Sequence, residues 1–173
     1  MVLAGAAFAA PASVAAAEVK PLVDLRLRYE HVDQDGFTRD ADAVTARARA
    51  GLDLRTGDWS LLAEGEATVA ILEDYDSGLN GRTLFPLVAD PENAEINRLQ
   101  IQYLGIEGAV LTAGRQRINL DDQRFVGSVG WRQNEQTFDA VRAEYSGVKG
   151  LKADVTYAWS VRTIWGVDGR DAG

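Results

Sequence analysis

From Leu151 to Val161 every second residue is apolar: Leu151, Ala153, Val155, Tyr157, Trp159 and Val161. Lys152, Asp154, Thr156, Ala158 and Ser160 stand between them. A β-strand projects successive side chains to opposite faces, so this segment predicts one greasy face backed by one wet face. The pattern recurs along the chain, joined alternately by short turns and long polar loops. An outer-membrane β-barrel has this rhythm, because its outside meets lipid and its inside meets water. The usual reading of polarity is then inverted, and the charged face of each strand becomes the interior of a pore.

Six further segments repeat the pattern. Residues 21–32 set Val23, Leu25, Leu27 and Tyr29 against Asp24, Arg26, Arg28 and Glu30. Residues 44–55 set Val44, Ala46, Ala48, Ala50, Leu52 and Leu54 against Thr45, Arg47, Arg49, Gly51, Asp53 and Arg55. Residues 59–71 place Trp59, Leu61, Ala63, Ala67, Val69 and Ile71 opposite Ser60, Glu64, Glu66 and Thr68. Residues 96–104 and 137–145 follow suit, with Arg98 and Arg142 on their wet faces. Residues 109–118 are the least regular, since Ala-Gly-Arg-Gln-Arg breaks the alternation. Each segment is about 9–13 residues long, which a tilted strand needs to cross a bilayer. A helix would scatter Arg26, Arg28 and Glu30 around its cylinder and leave no apolar stripe. Residues 42–54 keep a helical alternative, because Ala and Arg are good helix formers.

The connections at 56–58, 105–108 and 146–150 are tight and contain glycine, as hairpins require. Those at 33–43, 72–94 and 119–136 are long. Barrels of this kind have short periplasmic turns and long outer loops. Trp59, Tyr103 and Tyr145 fall near strand ends, where an interfacial aromatic girdle would sit. The expected fold is therefore all-β: an antiparallel up-and-down transmembrane barrel, of which about seven N-terminal strands are present.

Residues 1–17, MVLAGAAFAAPASVAAA, read as the remnant of a secretory signal peptide ending in a small-x-small cleavage site. No basic residue precedes the apolar run, so the expectation is either a true start upstream or a misassigned start codon; the alternative is an Ala-rich disordered N-terminus. Residues 18–173 read as the N-terminal part of a barrel domain, truncated within an outer loop. With 18 Lys+Arg against 26 Asp+Glu, the net charge of −8 argues against nucleic acid as a partner. The chain has no cysteine, so disulfides, thiolate metal sites and thiol catalysis are excluded. Its one histidine, His31, cannot build a His-based zinc site, and no Gly-rich phosphate loop is present. The acidic run at Glu73, Asp74 and Asp76 lacks the spacing of a calcium loop. No cofactor, metal or catalytic constellation is expected, and the chain is not read as an enzyme.

Three stretches carry a family resemblance: EINRLQIQY at 95–103, AGRQRIN at 113–119 and GWRQNEQTFDA at 130–140. Together they resemble the alginate export family of outer-membrane porins, most densely over residues 95–145. The resemblance implies a bacterial outer-membrane location, surrounding lipid, delivery by the barrel-assembly machinery, and a monomer at full length of about eighteen strands. It also implies an arginine-lined pore, although substrate does not transfer with fold.

The candidate pore-lining residues are Arg26, Arg28, Arg47, Arg49, Arg98 and Arg142 on the wet faces, with Arg115, Arg117, Arg124 and Arg132 in or beside the 115–132 stretch. Guanidinium groups stay charged and grip carboxylates in a fork, so a ladder of them could pass anionic or polar solutes, from sugar acids to polysaccharide. The alternative is a salt-bridge network among these arginines and Asp24, Asp53, Glu64, Glu66 and Glu144. A loop as long as 115–132 is expected to fold inward as a constriction; the alternative is an ordered surface loop. Two other functions compete with the porin: a small barrel acting as anchor or adhesin, and a secreted soluble β-sandwich that binds carbohydrate.

Overall fold

The computed structural model describes residues 17–169. The segment read as a signal peptide lies, apart from Ala17, outside the described residues. Seven strands follow in chain order: β1 (Glu18–Val32), β2 (Ala41–Thr56), β3 (Trp59–Asp74), β4 (Asn93–Tyr103), β5 (Ala109–Gln116), β6 (Thr137–Tyr145) and β7 (Ala153–Arg162). A 3-10 turn, Gly166–Asp168, comes after β7. Residues 42–54, for which a helix had been an alternative, form strand. All seven strands belong to one sheet, each antiparallel to its sequence neighbours. One sheet rules out the two-sheet sandwich. Among the described residues β1 pairs only with β2 and β7 only with β6, so the sheet is unclosed, as in a partial barrel.

Register follows the sequence alternation. Leu25 stands opposite Ala48, Ala48 opposite Ala67, and Val141 opposite Tyr157. One face is therefore apolar and bare: Val23 is 75% exposed and Leu25 77%. The other face is charged and covered: Arg47 is 2% exposed and Arg49 7%, with Glu64 and Glu66 also buried. In water this distribution would cost most of the hydrophobic driving force; against lipid the same bare face is satisfied. Backbone groups pair along the strands, which a bilayer demands.

Two local devices shape the wall. Gly114 takes φ +110°, and a Cβ there would lie 2.3 Å from the Leu99 carbonyl oxygen. Close approach of the β4 backbone thus explains the irregular stretch in β5. Between β3 and β4 a bulge skips Asn97: Glu64 pairs with Arg98 and Gly65 with Ile96. The extra residue turns inward, and both Asn97 and Arg98 reach Glu64.

The turns at 57–58, 104–108 and 146–152 gather at one end. Leu104 N–H donates to the Asp58 carbonyl at 2.8 Å, and Ser146 N–H to the Gly108 carbonyl at 2.7 Å. The Trp59 and Tyr103 rings pack there, with centroids 4.8 Å apart. At the other end the loops at 75–92 and 117–136 fold back over the polar face. Each is seated on a small apolar cluster. Tyr75 and Val88 pack with Ala41 and Ala43, flanked by Val32 and Ala70. Leu120 and Val126 pack against Ile118, Phe138 and Ala140, with Val161 alongside.

Candidate functional site

The polar face of β1–β4 and the loop at 117–136 meet along one continuous charged seam. Its centre is the run Gly130 to Glu135. Arg26 donates from Nη1 to three carbonyls, those of Gly130 (3.0 Å), Trp131 (3.3 Å) and Arg132 (3.1 Å). Arg28 donates to the Trp131 carbonyl at 2.9 Å. The Gln133 carbonyl accepts from Arg47 at 3.3 Å and Arg49 at 3.5 Å. The Gln133 side chain donates back to the carbonyl and hydroxyl of Thr45 at 2.9 and 2.8 Å. Four arginines from two adjacent strands therefore hold the loop largely through backbone oxygens. Alternate wet-face positions on neighbouring strands bring these four guanidinium groups together.

A second group ties the two inward loops to each other. Asp90, fully buried, accepts from the Gln133 backbone N–H at 3.0 Å and faces Arg28 at 3.4 Å and Arg132 at 3.8 Å. Asn134 donates to the carbonyls of Pro91 (2.9 Å) and Ile164 (3.2 Å). Three connections thus converge on one asparagine. The Tyr75 hydroxyl donates to the Asp90 carbonyl at 3.0 Å, and burial pushes its pKa up to about 12.

Acids accompany nearly every predicted arginine. Arg47 pairs with Asp24, and Arg49 with Glu66 and, at 3.3 Å, with Glu135. Arg98 grips Glu64 with two nitrogens at 2.9 and 2.7 Å. Arg117 pairs with Glu135, Arg132 with Glu30, and Arg142 with Asp154 and Glu144. Among the described residues Arg26 and Arg124 meet no carboxylate at ion-pair range. Arg124 instead lies over the Phe125 ring, 5.5 Å from its centroid. Arg28 and Arg132 flank the Trp131 ring at 5.3 and 4.2 Å.

Arg115 stands apart from the other candidates. It is paired in register with Leu99 and Asp139, and cross-strand partners share a face. It therefore lies on the same side as Ile101, Ala113 and Val141, fork-bonded to Asp139 with both contacts at 2.9 Å. Expected on the wet side, it is instead an outward residue near the loop end of the sheet. The acidic run of the 75–92 loop is occupied locally, Arg82 pairing with Glu73 at 3.0 Å and Asp74 at 3.7 Å.

Sequence reasoning missed Asp90, Asn97, Gln133 and Asn134, all buried. A signal for them existed. At the loop ends of β1, β2, β3 and β6 the wet face turns apolar, at Val32, Ala41, Ala43, Ala70 and Ala140. Apolar side chains on a water-facing wall need cover, and an inward loop supplies it.

A sheet with a bare apolar face, a charged interior, short turns at one end and inward loops at the other defines part of a transmembrane β-barrel wall. The sequence profile of the alginate export family matches residues 22–164, and the chain belongs to that family. It is a family of outer-membrane transport proteins rather than enzymes. No curated protein and no solved structure matches the chain.

Proposed function

We propose that the chain contributes wall and inner constriction to an outer-membrane channel that passes anionic or polar solutes, such as sugar acids or an alginate-like polysaccharide, without coupled chemistry. The observation that carries this reading is the seam just described: Arg26, Arg28, Arg47 and Arg49 pin a long loop inside a barrel wall whose other face suits lipid. In this reading Arg98, Arg117, Arg132 and Arg142 line the path beside the pinned loop, and Arg115 belongs to the outer surface.

Because most of these guanidinium groups already hold a carboxylate, the path is a series of weak local sites rather than a uniformly positive tube. Weak multiple sites favour conduction, since a solute must leave as readily as it enters. Outer-membrane lipid surrounds the apolar face, and folding there depends on barrel-assembly machinery. The test is planar-bilayer recording of protein purified from outer-membrane fractions. Stepwise conductance with a reversal potential favouring anions is expected, together with swelling of proteoliposomes in glucuronate. Absence from the outer membrane, or a sealed bilayer, overturns the reading.

A further inference from the structure

The outward face of the wall stays apolar to different heights. On β1 its positions run from Val19 to Tyr29 without a charge. The first outward polar cluster there is Tyr29, His31 and Asp42, in which Asp42 Oδ1 accepts from the Tyr29 hydroxyl at 2.7 Å and lies 3.0 Å from His31 Nδ1. At a rise of about 3.4 Å per residue and a tilt of about 40°, Tyr29 stands about 26 Å above Val19, which matches an apolar band of about 25 Å. On β5 the run is shorter: Ala109, opposite Tyr145 at the turn end, then Leu111, Ala113 and, next, Arg115. At the same rise and tilt, the Arg115–Asp139 pair lies about 15 Å above Ala109, inside the band and about 10 Å below its upper edge.

This pair is fixed in the wall. Besides its fork to Asp139, Arg115 donates from Nη1 to the Ile96 carbonyl at 3.1 Å, beside the bulge that skips Asn97. Both side chains are 21% exposed, so both charges reach the outer surface. β4, β5 and β6 each have a paired strand on either side, and closure of the barrel elsewhere leaves this face outward. On the same face, toward the turns, lies a groove of ≈ 450 Å³ lined by Ile101, Tyr103, Ala113, Val141, Ala143 and Tyr157. Ala113 and Val141 stand opposite each other, one outward position below the ion pair. The small side chains at 113 and 143 floor the groove, and Tyr103 on β4 and Tyr157 on β7 flank it.

We infer that the outward face of β4–β6 docks a zwitterionic phospholipid, its headgroup sunk onto the Arg115–Asp139 pair and an acyl chain in the groove below, so that the bilayer is thinned beside this sector of the wall. Charge facing hydrocarbon is costly, and a bilayer meets a short apolar belt by thinning locally. The pair presents both signs: Arg115 faces the lipid phosphate and Asp139 the lipid ammonium. A net-neutral headgroup therefore matches a net-neutral pair, whereas an anionic headgroup would carry an uncompensated charge into the band. The groove below the pair is apolar, as an acyl chain requires. The inference concerns lipid and is independent of which solute the channel passes.

Urea titration of the full chain in phosphatidylcholine vesicles tests this, with didecanoyl lipid as the thin bilayer and dioleoyl lipid as the thick one. The double variant Arg115→Leu/Asp139→Val is expected to match the wild type in the thin bilayer. In the thick bilayer it is expected to raise the ratio of folded to unfolded protein roughly tenfold over the wild type. Arg115→Gln/Asp139→Asn, which keeps polar contact without charge, is expected to fall between them. Dioleoyl phosphatidylglycerol supplies the anionic headgroup, and the wild type is expected to be less stable there than in the choline lipid, a difference that the double variant loses. An effect of equal size in thin and thick bilayers, or failure of both variants to fold, makes the pair a link between β5 and β6 only and overturns the inference. A wild-type preference for phosphatidylglycerol overturns the zwitterionic assignment. Single-channel conductance of the double variant is expected to equal that of the wild type, so the lipid site and the channel reading fail separately.

Discussion

Gln133 and Thr45 are joined by two hydrogen bonds, the Gln133 amide donating to both the carbonyl and the hydroxyl of Thr45, and Arg47, two residues further along the strand, donates to the Gln133 carbonyl. An amide deep in a wall can be satisfied only if its partners are fixed, so this residue sets the loop position. Gln133→Ala removes two bonds and leaves Thr45 buried without them, at a cost of about 1–3 kcal/mol. The loop at 117–136 is expected to become protease-sensitive, with a larger single-channel conductance. A variant with unchanged proteolysis and conductance shows that the loop is held by the remaining contacts.

Glu135 is shared between Arg49 and Arg117, and the Asn97 amide donates to it at 2.6 Å. Glu135→Gln leaves the buried Arg49 and the partly buried Arg117 with less compensation. Breaking a buried pair in this way costs about 3–5 kcal/mol. The expected outcome is a lower urea midpoint and a reversal potential shifted further toward anions. Lower stability with unaltered selectivity removes Glu135 from the ion path.

Tyr75 gives a pH dependence. Its hydroxyl titrates near about 10 in an unfolded chain and is pushed up to about 12 by burial in the fold. A raised folded value means that the stabilisation is complete below the unfolded value and is lost as pH rises through the folded one. The 75–92 loop is therefore expected to hold to about pH 10 and release between there and about pH 12. Phenolate absorbance should show a late step that Tyr75→Phe abolishes. A wild-type chain whose tyrosines all titrate near the ordinary value contradicts the buried hydrogen bond to Asp90.

Leu25 tests the lipid face. Leu25→Arg is expected to cost about 2–4 kcal/mol near the bilayer midplane, read as a loss of folded fraction in urea titrations of protein in lipid vesicles. The neighbouring inward position tolerates Arg26 natively. Equal stability of the Leu25→Arg protein in vesicles would mean that this face does not meet lipid.

Gly114 tests close packing within the wall. Gly114→Ala puts a methyl group against the Leu99 carbonyl at a backbone angle that favours glycine, so the β4–β5 pairing is expected to weaken by about 1 kcal/mol or more. Hydrogen exchange of β5 amides, faster than those of β2, is the readout. Unaltered exchange would mean that β4 can move away.

The sequence alone determined the strand number, the boundaries to within a few residues, the two-faced character of each strand and the alternation of short and long connections. These depend on local physics: a period of two decides which side each residue faces, and glycines mark the tight turns. It also carried the family, through three short stretches now matched over residues 22–164. Tertiary structure decided the rest. Whether Arg47 faces solvent or Asp24 depends on register between β1 and β2, and nothing within either strand encodes it. The inward course of the 117–136 loop depends on Thr45, Asp90 and Gln133, which lie up to 88 residues apart in the chain. Arg115 was misplaced because its strand breaks alternation, and only its pairing with Leu99 and Asp139 shows its face. The physical reason is common to all three: alternation is a property of one strand, whereas an ion pair or a buried amide needs the position of a second strand or loop that only the assembled wall supplies.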